Sequence, residues 1–445
     1  MKVKLLCRNP DEYIRETKKD IHKVPRNYDP ALHPFEAARE YTKALNASKL
    51  DRVFAKPFLG SLNGHRDGIH CMSSHPSSLS TILSGACDGE IRQWDLAKRT
   101  CTRTINAHEG FVRGLTVTPS AESFYSCGDD KIIKQWRMTP ENPSEKEEPT
   151  HTIIGKTIYE GISHHWRDNV FATCGQQVDI WNVDRAEPVR TFTWGVDSIS
   201  HIKYNHIETH LLAATASDRS IMLYDMRGSN PLRKVILKLR SNAIAWNPME
   251  AFIFTVANED YNLYTFDMRN LKEPLNLHMD HVSAVLDVDY SPTGKEFVSG
   301  SYDKSIRIFP IEKGRSREVY HAKRMQRVSC VKWSRDNKYI LSGSDETNIR
   351  IWKANASEKL GVLKPRERAA FNEVTKLKEK FVHHPKVRRI IKHRHVPGMI
   401  YSAKKEHAII KESRKRKEHN RRVHSKPGAV PFVAEKKKHV VAELE

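Results

Sequence analysis

Two sets of serine, histidine and aspartate are the residues of this sequence whose types most resemble a catalytic apparatus. Hydrogen-bonded in a row, three such side chains can activate a serine for nucleophilic attack. The sets are His65, Ser84 and Asp88, and His108, Ser126 and Asp130. The second set repeats the first after 42 or 43 residues. Because a regular recurrence is typical of a structural unit, we interpret both sets as structural.

Other patterns for catalysis or metal binding do not occur in the sequence. There is no Gly-x-Ser-x-Gly elbow, and Gly294-Lys295 lacks the upstream glycine of a phosphate-binding loop. The paired histidines 164–165 and 383–384 have no partners at metal-ligand spacing, and the seven scattered cysteines form no Cys-x-x-Cys pair. We therefore expect no enzyme activity, metal, cofactor or small-molecule substrate.

The chemistry that the sequence favours is the binding of a polyanion. The 445 residues carry a net charge of +21, of which +15 lies in residues 364–445, +2 in residues 51–363 and +4 in residues 1–50. Clustered lysines and arginines can neutralise phosphates and release counterions. The candidate RNA-binding residues are Lys386, Arg388, Arg389, Lys392, Arg394, Arg414, Lys415, Arg416, Lys417, Arg421 and Arg422.

Few aromatic residues accompany these clusters, so we expect contacts to the RNA backbone and shape rather than stacking on bases. Two alternatives remain open for the basic segment. It could be a solvated surface that contains a nuclear localisation signal, or it could bind an anionic membrane surface, although no apolar face accompanies the charge. No apolar run approaches the roughly 20 residues of a membrane-spanning helix, and the N-terminus has no secretory apolar core, which favours a soluble protein that is not exported.

An internal repeat predicts the elements that hold these residues. An aromatic residue ends an apolar or alternating run seven times, at intervals of 42 to 45 residues. The seven aromatics are Trp94, Trp136, Trp181, Tyr224, Phe266, Phe309 and Trp352. A carboxylate lies six residues before all of them except Trp181. Within each copy, short alternating or β-branched runs separated by turn residues predict β-strands.

Seven copies imply seven four-stranded blades closed into a ring, with residues 53–62 supplying the outer strand of the last blade. An open stack of hairpins is the alternative, but it would expose unpaired strand edges. Repeats of this length resemble WD-repeat β-propellers, although only Trp94-Asp95, Tyr224-Asp225 and Phe266-Asp267 retain the acid of the Trp-Asp ending. The resemblance implies a buried hydrogen-bond set in the first two copies. Its residues are His65, Ser84, Asp88 and Trp94, then His108, Ser126, Asp130 and Trp136.

Both flanks resemble the family of WD-repeat proteins with a SOF domain. The N-terminal part of this resemblance is residues 26–58, and the C-terminal part is residues 376–440. The resemblance implies a nucleolar component of the small-subunit processome, which acts on precursor ribosomal RNA together with a box C/D small nucleolar RNP and other processome proteins. The predicted fold class is therefore an all-β, seven-bladed propeller with an N-terminal arm and a basic, mainly helical C-terminal extension.

The predicted boundaries are residues 1–52 for the arm, 53–363 for the propeller and 364–445 for the extension. Helix-forming stretches at 366–382 and 400–422 predict two or three helices in the extension. The acidic segment 141–149 is predicted to be an exposed loop between the second and third blades.

A second candidate site is the near-identical pair of sequences 224–227 and 266–269, Tyr-Asp-Met-Arg and Phe-Asp-Met-Arg. They resemble the Asp-x-Arg box with which WD-repeat substrate receptors dock on the adaptor of cullin-4 ubiquitin ligases. The docking residues would be Asp225, Arg227, Asp267 and Arg269, since a guanidinium can bond carbonyls or carboxylates in pairs. The alternative is that each aspartate and arginine pair within the turn and hold the strand connection.

Overall fold

The computed structural model describes residues 30–139 and 148–444. Contacts divide the chain into two compact units. Among the described residues, the larger unit takes in residues 54–139, 148–360 and 392–444, and the smaller takes in residues 30–53 and 361–391. No described helix is long and apolar enough to cross a membrane.

The larger unit is built from seven antiparallel sheets, and five of them are formed entirely by strands that follow one another along the chain. Each repeat therefore folds as one blade, as expected for a propeller. The strands are β1 Phe58–Leu62, β2 Ile69–Ser74, β3 Thr81–Ala86, β4 Glu90–Asp95, β5 Thr100–Asn106, β6 Val112–Val117, β7 Ser123–Gly128, β8 Ile132–Arg137, β9 His151–Ile154, β10 Gly161–His164, β11 Val170–Cys174, β12 Val178–Asn182, β13 Arg190–Phe192, β14 Ile199–Tyr204, β15 Leu211–Ala216, β16 Ser220–Asp225, β17 Arg233–Leu237, β18 Ser241–Trp246, β19 Ile253–Asn258, β20 Asn262–Asp267, β21 Asn276–Met279, β22 Val285–Tyr290, β23 Glu296–Ser301, β24 Ile306–Pro310, β25 Glu318–Tyr320, β26 Val328–Trp333, β27 Tyr339–Ser344, β28 Ile349–Lys353 and β29 Val440–Leu444.

Blades 1 to 6 are β2–β5, β6–β9, β10–β13, β14–β17, β18–β21 and β22–β25, and blade 7 is β26, β27, β28 and β1. The predicted ring closure is confirmed, because β1 pairs with β28 from Phe58 opposite Trp352 to Leu62 opposite Ile349. The strand begins at Phe58, after Pro57, whose carbonyl accepts the backbone N–H of Lys353 at 2.8 Å. The seven-bladed fold class is likewise confirmed.

The recurring aromatics form the core of the blades. All seven are at most 3% exposed, so each contributes about 1.5–3 kcal/mol or more through burial of its side chain. The tryptophans among them also donate the indole N–H to a facing hydroxyl. For example, Trp181 Nε1 donates to Thr173 Oγ1 at 2.8 Å, and Trp352 Nε1 donates to Ser342 Oγ at 2.9 Å. The third repeat, which lacks the carboxylate, still forms a four-stranded blade, although its strands are only three to five residues long.

The recurring carboxylate shapes the tight turn before the third strand of its blade. In five blades it accepts the backbone N–H two residues further on, at 2.9 to 3.2 Å. The residue in between has positive φ in each case, a conformation that such a turn requires. The carboxylates are Asp88, Asp130, Asp218, Asp260 and Asp303. This local bond explains why the residue lies at a fixed distance before the aromatic.

The smaller unit contains helices from both ends of the chain. Its elements are a short 3-10 helix Pro30–Leu32, helix α1 Glu36–Val53, helix α2 Pro365–Lys380 and most of helix α3 Pro385–Lys392. Helix α1 packs on α2, and Lys378 Nζ pairs with Asp51 Oδ2 at 2.6 Å. The N-terminal segment and the start of the extension thus form one helical unit.

The last helix, α4 Gly398–Val423, belongs to the larger unit. The helices predicted for the extension are confirmed as α2, α3 and α4. The strand β29 that follows them pairs with β17 and makes the sheet of blade 4 five-stranded. Residues 141–147 of the predicted acidic loop lie outside the described residues.

Candidate docking and nucleic-acid surfaces

Helix α4 has one face fixed to the propeller. Ile400 is 5% exposed, Lys404 Nζ pairs with Asp280 Oδ1 at 2.9 Å, and the His407 ring stacks on that of Tyr261 at 5.1 Å. These positions are three or four residues apart, so they lie on the same side of the helix. The helix is therefore held in one orientation.

Asp280 is the buried anchor for this helix. Its side chain is 7% exposed and also accepts from Arg315 Nη1 at 2.9 Å and from Ser316 Oγ at 2.7 Å. Burial alone would raise the pKa of Asp280, but the charge of Lys404 and its hydrogen bond hold that pKa well below its usual value. The carboxylate stays ionised, and the ion pair with Lys404 persists over the physiological pH range.

The predicted RNA-binding residues on α4 divide into two groups. Arg422 already has partners within the chain, with Nη2 3.6 Å from Glu418 Oε2 and its guanidinium 5.0 Å from the Phe432 ring centre. The others are exposed, and within residues 30–139 and 148–444 none of their side chains forms an ion pair. This group is Arg414, Lys415, Arg416, Lys417 and Arg421. Five cations are thus available to an external anion.

The remaining predicted RNA-binding residues lie on or just after α3. Lys386, Arg388 and Arg389 are exposed around the buried Val387, and Lys392 is exposed at the last position of the helix. In the part of the chain that the structure describes, these four side chains form no ion pair. Arg394 lies outside the helix and differs from them, because its Nε is 3.7 Å from Glu318 Oε2 and the two side chains are 16% and 14% exposed.

The two Asp-x-Arg boxes have the same geometry. In the first, Arg227 Nη2 pairs with Asp225 Oδ2 at 2.9 Å, and Arg227 Nε lies 3.1 Å from Asp225 Oδ1. In the second, Arg269 Nη2 pairs with Asp267 Oδ2 at 2.7 Å. Both arginine side chains are 67% exposed. The hydrogen bond from each arginine lowers the pKa of its aspartate. Each pair therefore braces its turn and still presents a guanidinium to solvent.

The hydrogen-bond set implied by the repeats is complete in blade 2. His108 Nδ1 lies 2.8 Å from Asp130 Oδ2, and His108 Nε2 lies 2.7 Å from Ser126 Oγ, which accepts the Trp136 indole N–H at 3.0 Å. Burial lowers the pKa of His108, so the ring is neutral at pH 7. The network ties two strands, β7 and β8, to the turn between them and to the loop that carries His108, without exposing a nucleophile.

Blade 1 departs from this pattern. His65 Nε2 lies 2.6 Å from Ser84 Oγ, which accepts the Trp94 indole N–H at 2.8 Å. However, the contact of His65 Nδ1 is with Glu90 Oε2, at 3.6 Å. Among the described residues, Asp88 accepts only the backbone N–H of Glu90, at 3.1 Å. The expected bridge from His65 to Asp88 is thus replaced by a longer contact with Glu90.

Blade 6 carries a further set that sequence reasoning missed. His281 Nδ1 lies 3.0 Å from Asp303 Oδ2, and His281 Nε2 lies 2.7 Å from Ser299 Oγ. The signal was available, since these residues stand 28, 6 and 10 positions before Phe309, the spacing of the blade 2 set before its tryptophan. The position of the blade 2 tryptophan is taken here by Phe309, whose ring has no N–H to donate.

A second feature missed from the sequence is an arginine that links neighbouring blades. From an outer strand, its Nη1 donates to a backbone carbonyl at the end of the third strand of the next blade, or just beyond it. These bonds join Arg103 to Arg137 (2.6 Å), Arg190 to Met226 (2.5 Å) and Arg233 to Arg269 (3.1 Å). Each arginine stands nine residues after the recurring aromatic of its own blade, so the repeat contained the signal.

No group of three or more metal-binding side chains occurs among the residues that the structure describes. The candidate sites predicted from the sequence that the structure places at the surface are the exposed cations of α3 and α4 and the two Asp-x-Arg turns of the propeller.

Comparison with known proteins matches the Sof1-like domain to residues 354–440 and WD domain, G-beta repeats to residues 56–95, 99–137, 272–309 and 316–353. Protein SOF1 of Saccharomyces cerevisiae is 46% identical over 100% of this chain and 95% of its own. The chain belongs to the Sof1-like WD-repeat family. The family resemblance inferred from the two flanks is thus confirmed.

Closer relatives in the Sof1-like family are vertebrate. DDB1- and CUL4-associated factor 13 of Homo sapiens is 67% identical, and that of Xenopus laevis is 66% identical, each over 100% of both chains. Among solved structures, the WD40 β-propeller domain of Doa1 matches with a TM-score of 0.58 over 67% of this chain and 96% of its own. At 18% identity, that likeness concerns the fold alone.

Proposed function

We propose that this protein is a non-catalytic scaffold of the small-subunit processome in the nucleolus of the nucleus. In this role the propeller docks processome proteins, and the basic extension contacts precursor ribosomal RNA and the box C/D small nucleolar RNP. Membership of the Sof1-like family supports the assignment, since a relative named SOF1 aligns with the whole chain.

The observation that carries the RNA contact is the exposed group on α4. Arg414, Lys415, Arg416, Lys417 and Arg421 are exposed and have no ion pair in the described ranges, although carboxylates on the same helix pair with other lysines. Glu418, for example, pairs with Lys438 at 2.9 Å. Lys404 and Asp280 fix the N-terminal half of the same helix to the propeller. A rigid group of uncompensated cations suits the backbone of a structured RNA.

The test replaces Arg414, Lys415, Arg416 and Lys417 together with alanine. Binding to a fragment of precursor ribosomal RNA should weaken, and the slope of log affinity against log salt should fall by about 3, since each phosphate contact contributes roughly 0.7 to 0.9. The variant should also leave pre-ribosomal particles in a sucrose gradient.

The matched control removes four exposed lysines from the propeller, Lys98, Lys295, Lys313 and Lys338. It changes the net charge equally, so it should retain most of the affinity and the full association with particles. Equal losses in the two variants would mean that total charge, rather than the α4 group, drives binding, and the proposal would be abandoned.

A second candidate function is that of a substrate receptor of a cullin-4 RING ubiquitin ligase. Two observations favour it. Arg227 and Arg269 are both braced and exposed, and the human relative is named DDB1- and CUL4-associated factor 13. On this hypothesis Arg227→Ala combined with Arg269→Ala abolishes capture of the cullin-4 adaptor. The control replaces Lys295 and Lys338 with alanine; these lysines lie in turns on the same side of other blades, so this variant should still capture the adaptor. If the arginine variant also captures the adaptor, the docking role is refuted.

A further inference from the structure

The C-terminal strand shows what kind of ligand an outer blade edge of this propeller accepts. Strand β29 pairs with β17, the outer strand of blade 4, in antiparallel register from Lys234 opposite Leu444 to Leu237 opposite Val440. Val440 packs against the core cluster of that blade. The ligand is thus an extended segment whose backbone completes the sheet, as in strand addition by bound peptides.

An arginine of the blade edge meets a carboxylate of this strand. Arg233 Nη1, which donates to the carbonyl of Arg269 at 3.1 Å, lies 3.7 Å from Glu443 Oε1. Arg233 and Glu443 are 33% and 13% exposed. The same guanidinium therefore joins two blades and receives the acidic side chain of the added strand.

The described tail lies along the outer edges of three consecutive blades. His395 Nδ1 lies 3.3 Å from His321 Nε2 beside β25 of blade 6, and Lys437 Nζ lies 3.4 Å from Glu273 Oε2 in blade 5. Strand β29 then covers blade 4. Blade 3 comes next around the ring, and its outer strand β13 pairs only with β12 in the described part of the chain.

Blade 3 repeats the arrangement of the blade 4 edge, and no strand of the described residues pairs with it there. A cleft of about 470 Å³ lies there, lined by Arg190, Thr191, Phe192, Arg227 and Ser229. Like Arg233, Arg190 opens its outer strand and donates Nη1 to carbonyls of the next blade, those of Met226 at 2.5 Å and Gly228 at 2.8 Å. Arg190 is exposed and makes no ion pair with the described residues.

We propose that this cleft binds an extended acidic peptide segment of a partner protein, which adds to β13 and pairs a carboxylate with Arg190. Asp225 already neutralises Arg227 at 2.9 Å, so the cleft presents one uncompensated positive charge, which suits a single carboxylate better than a run of phosphates. Phe192 is 2% exposed and forms an apolar wall, as the core of blade 4 does for Val440.

The experiment uses the full-length protein and a fluorescent peptide with the sequence of residues 438–445, Lys-His-Val-Val-Ala-Glu-Leu-Glu. Its affinity is measured by fluorescence anisotropy, and a photoreactive group at the place of Val441 maps where the peptide lies. Crosslinks are expected at residues 187–194. A second peptide, with glutamine at the place of Glu443, should bind about tenfold or more weakly, the usual effect of losing one charged hydrogen-bond partner.

Three protein variants separate the carboxylate contact from the blade-linking role. Arg190→Gln keeps donors for the carbonyls of blade 4 but loses the charge, so peptide affinity should fall about tenfold or more. Arg190→Lys should retain most of the affinity. Arg103→Gln alters the equivalent link between blades 1 and 2 and should bind like the unchanged protein.

Three outcomes would overturn the proposal. Crosslinks confined to β17 would show that the peptide merely exchanges with the chain's own strand. Equal peptide affinity of Arg190→Gln and the unchanged protein would show that Arg190 does not bind the peptide carboxylate. Displacement of the peptide by a twelve-nucleotide single-stranded RNA that itself depends on Arg190 would assign the cleft to nucleic acid.

Discussion

Asp88 and Asp130 occupy the same position in successive repeats, yet alanine at these positions should differ in cost. Asp130 Oδ1 accepts the turn N–H of Ile132 at 3.2 Å, and Asp130 Oδ2 also bonds His108 at 2.8 Å. Within the described part of the chain, Asp88 makes only the equivalent turn bond, at 3.1 Å. Comparing the two substitutions therefore isolates the histidine bond.

Asp88→Ala should lower the free energy of unfolding by about 1 kcal/mol, the usual net value of one hydrogen bond. Asp130→Ala loses the same turn bond and leaves the Nδ1 of a buried histidine without a partner, which adds about 1.5–3 kcal/mol. The His108 side chain is 0% exposed, so water cannot replace the lost carboxylate. Asp130→Ala should therefore lower the free energy of unfolding by about 2 kcal/mol more than Asp88→Ala does.

The measurement is urea unfolding at pH 7, followed by tryptophan fluorescence on both variants and the unchanged protein. Similar slopes against urea are needed so that the midpoints report stability alone. A third variant, His108→Phe combined with Asp130→Ala, should recover part of the loss, since no polar nitrogen is then buried without a partner. Equal losses for Asp88→Ala and Asp130→Ala would refute the inference that blade 1 lacks the histidine bridge.

Two further predictions concern acid and the tail. Burial lowers the pKa of His278 from 6.5 to about 4. Between these two pH values the unfolded chain binds a proton at this histidine and the folded chain does not. The free energy of unfolding should therefore fall as pH drops from 6.5 to 4. His278→Gln should lessen that fall in urea titrations, and an unchanged pH slope would contradict the assignment. Lys404→Ala should release α4 and speed tryptic cleavage within residues 400–422, because the pair with Asp280 is lost; Lys405→Ala, at the exposed neighbouring position, should leave cleavage as it was.

The repeat could be predicted because its determinants are local. An aspartate that closes a turn two residues away, such as Asp303 with Ser305, and an aromatic six residues later belong to one blade, so their spacing survives as a period in the sequence. Phe309 shows that the aromatic itself can vary while its burial does not. Sequence reasoning missed the set around His281 only because the tryptophan is absent there.

The course of the extension could not be predicted because its contacts join residues far apart in the chain. Lys404 and Asp280 are 124 residues apart, and Arg394 and Glu318 are also remote in sequence. Nothing local in the five residues of β29 indicates that β17 is their partner. Similarly, α1 and α2 are joined across the whole propeller sequence by pairs such as Lys378 with Asp51, 327 residues apart.

The extension uses its positive charge in two physically different ways, and this distinction bears on any salt experiment. The Lys404 side chain is 49% exposed, but its partner carboxylate is 7% exposed, and a partly buried pair is screened by salt much less than exposed charges are. Arg414 to Lys417 are exposed, and their attraction to phosphate falls steeply as salt rises. Raising the salt concentration should therefore release RNA while α4 stays on the propeller. A salt-dependent loss of RNA binding would then report contacts of the α4 group itself, rather than detachment of the helix that carries it.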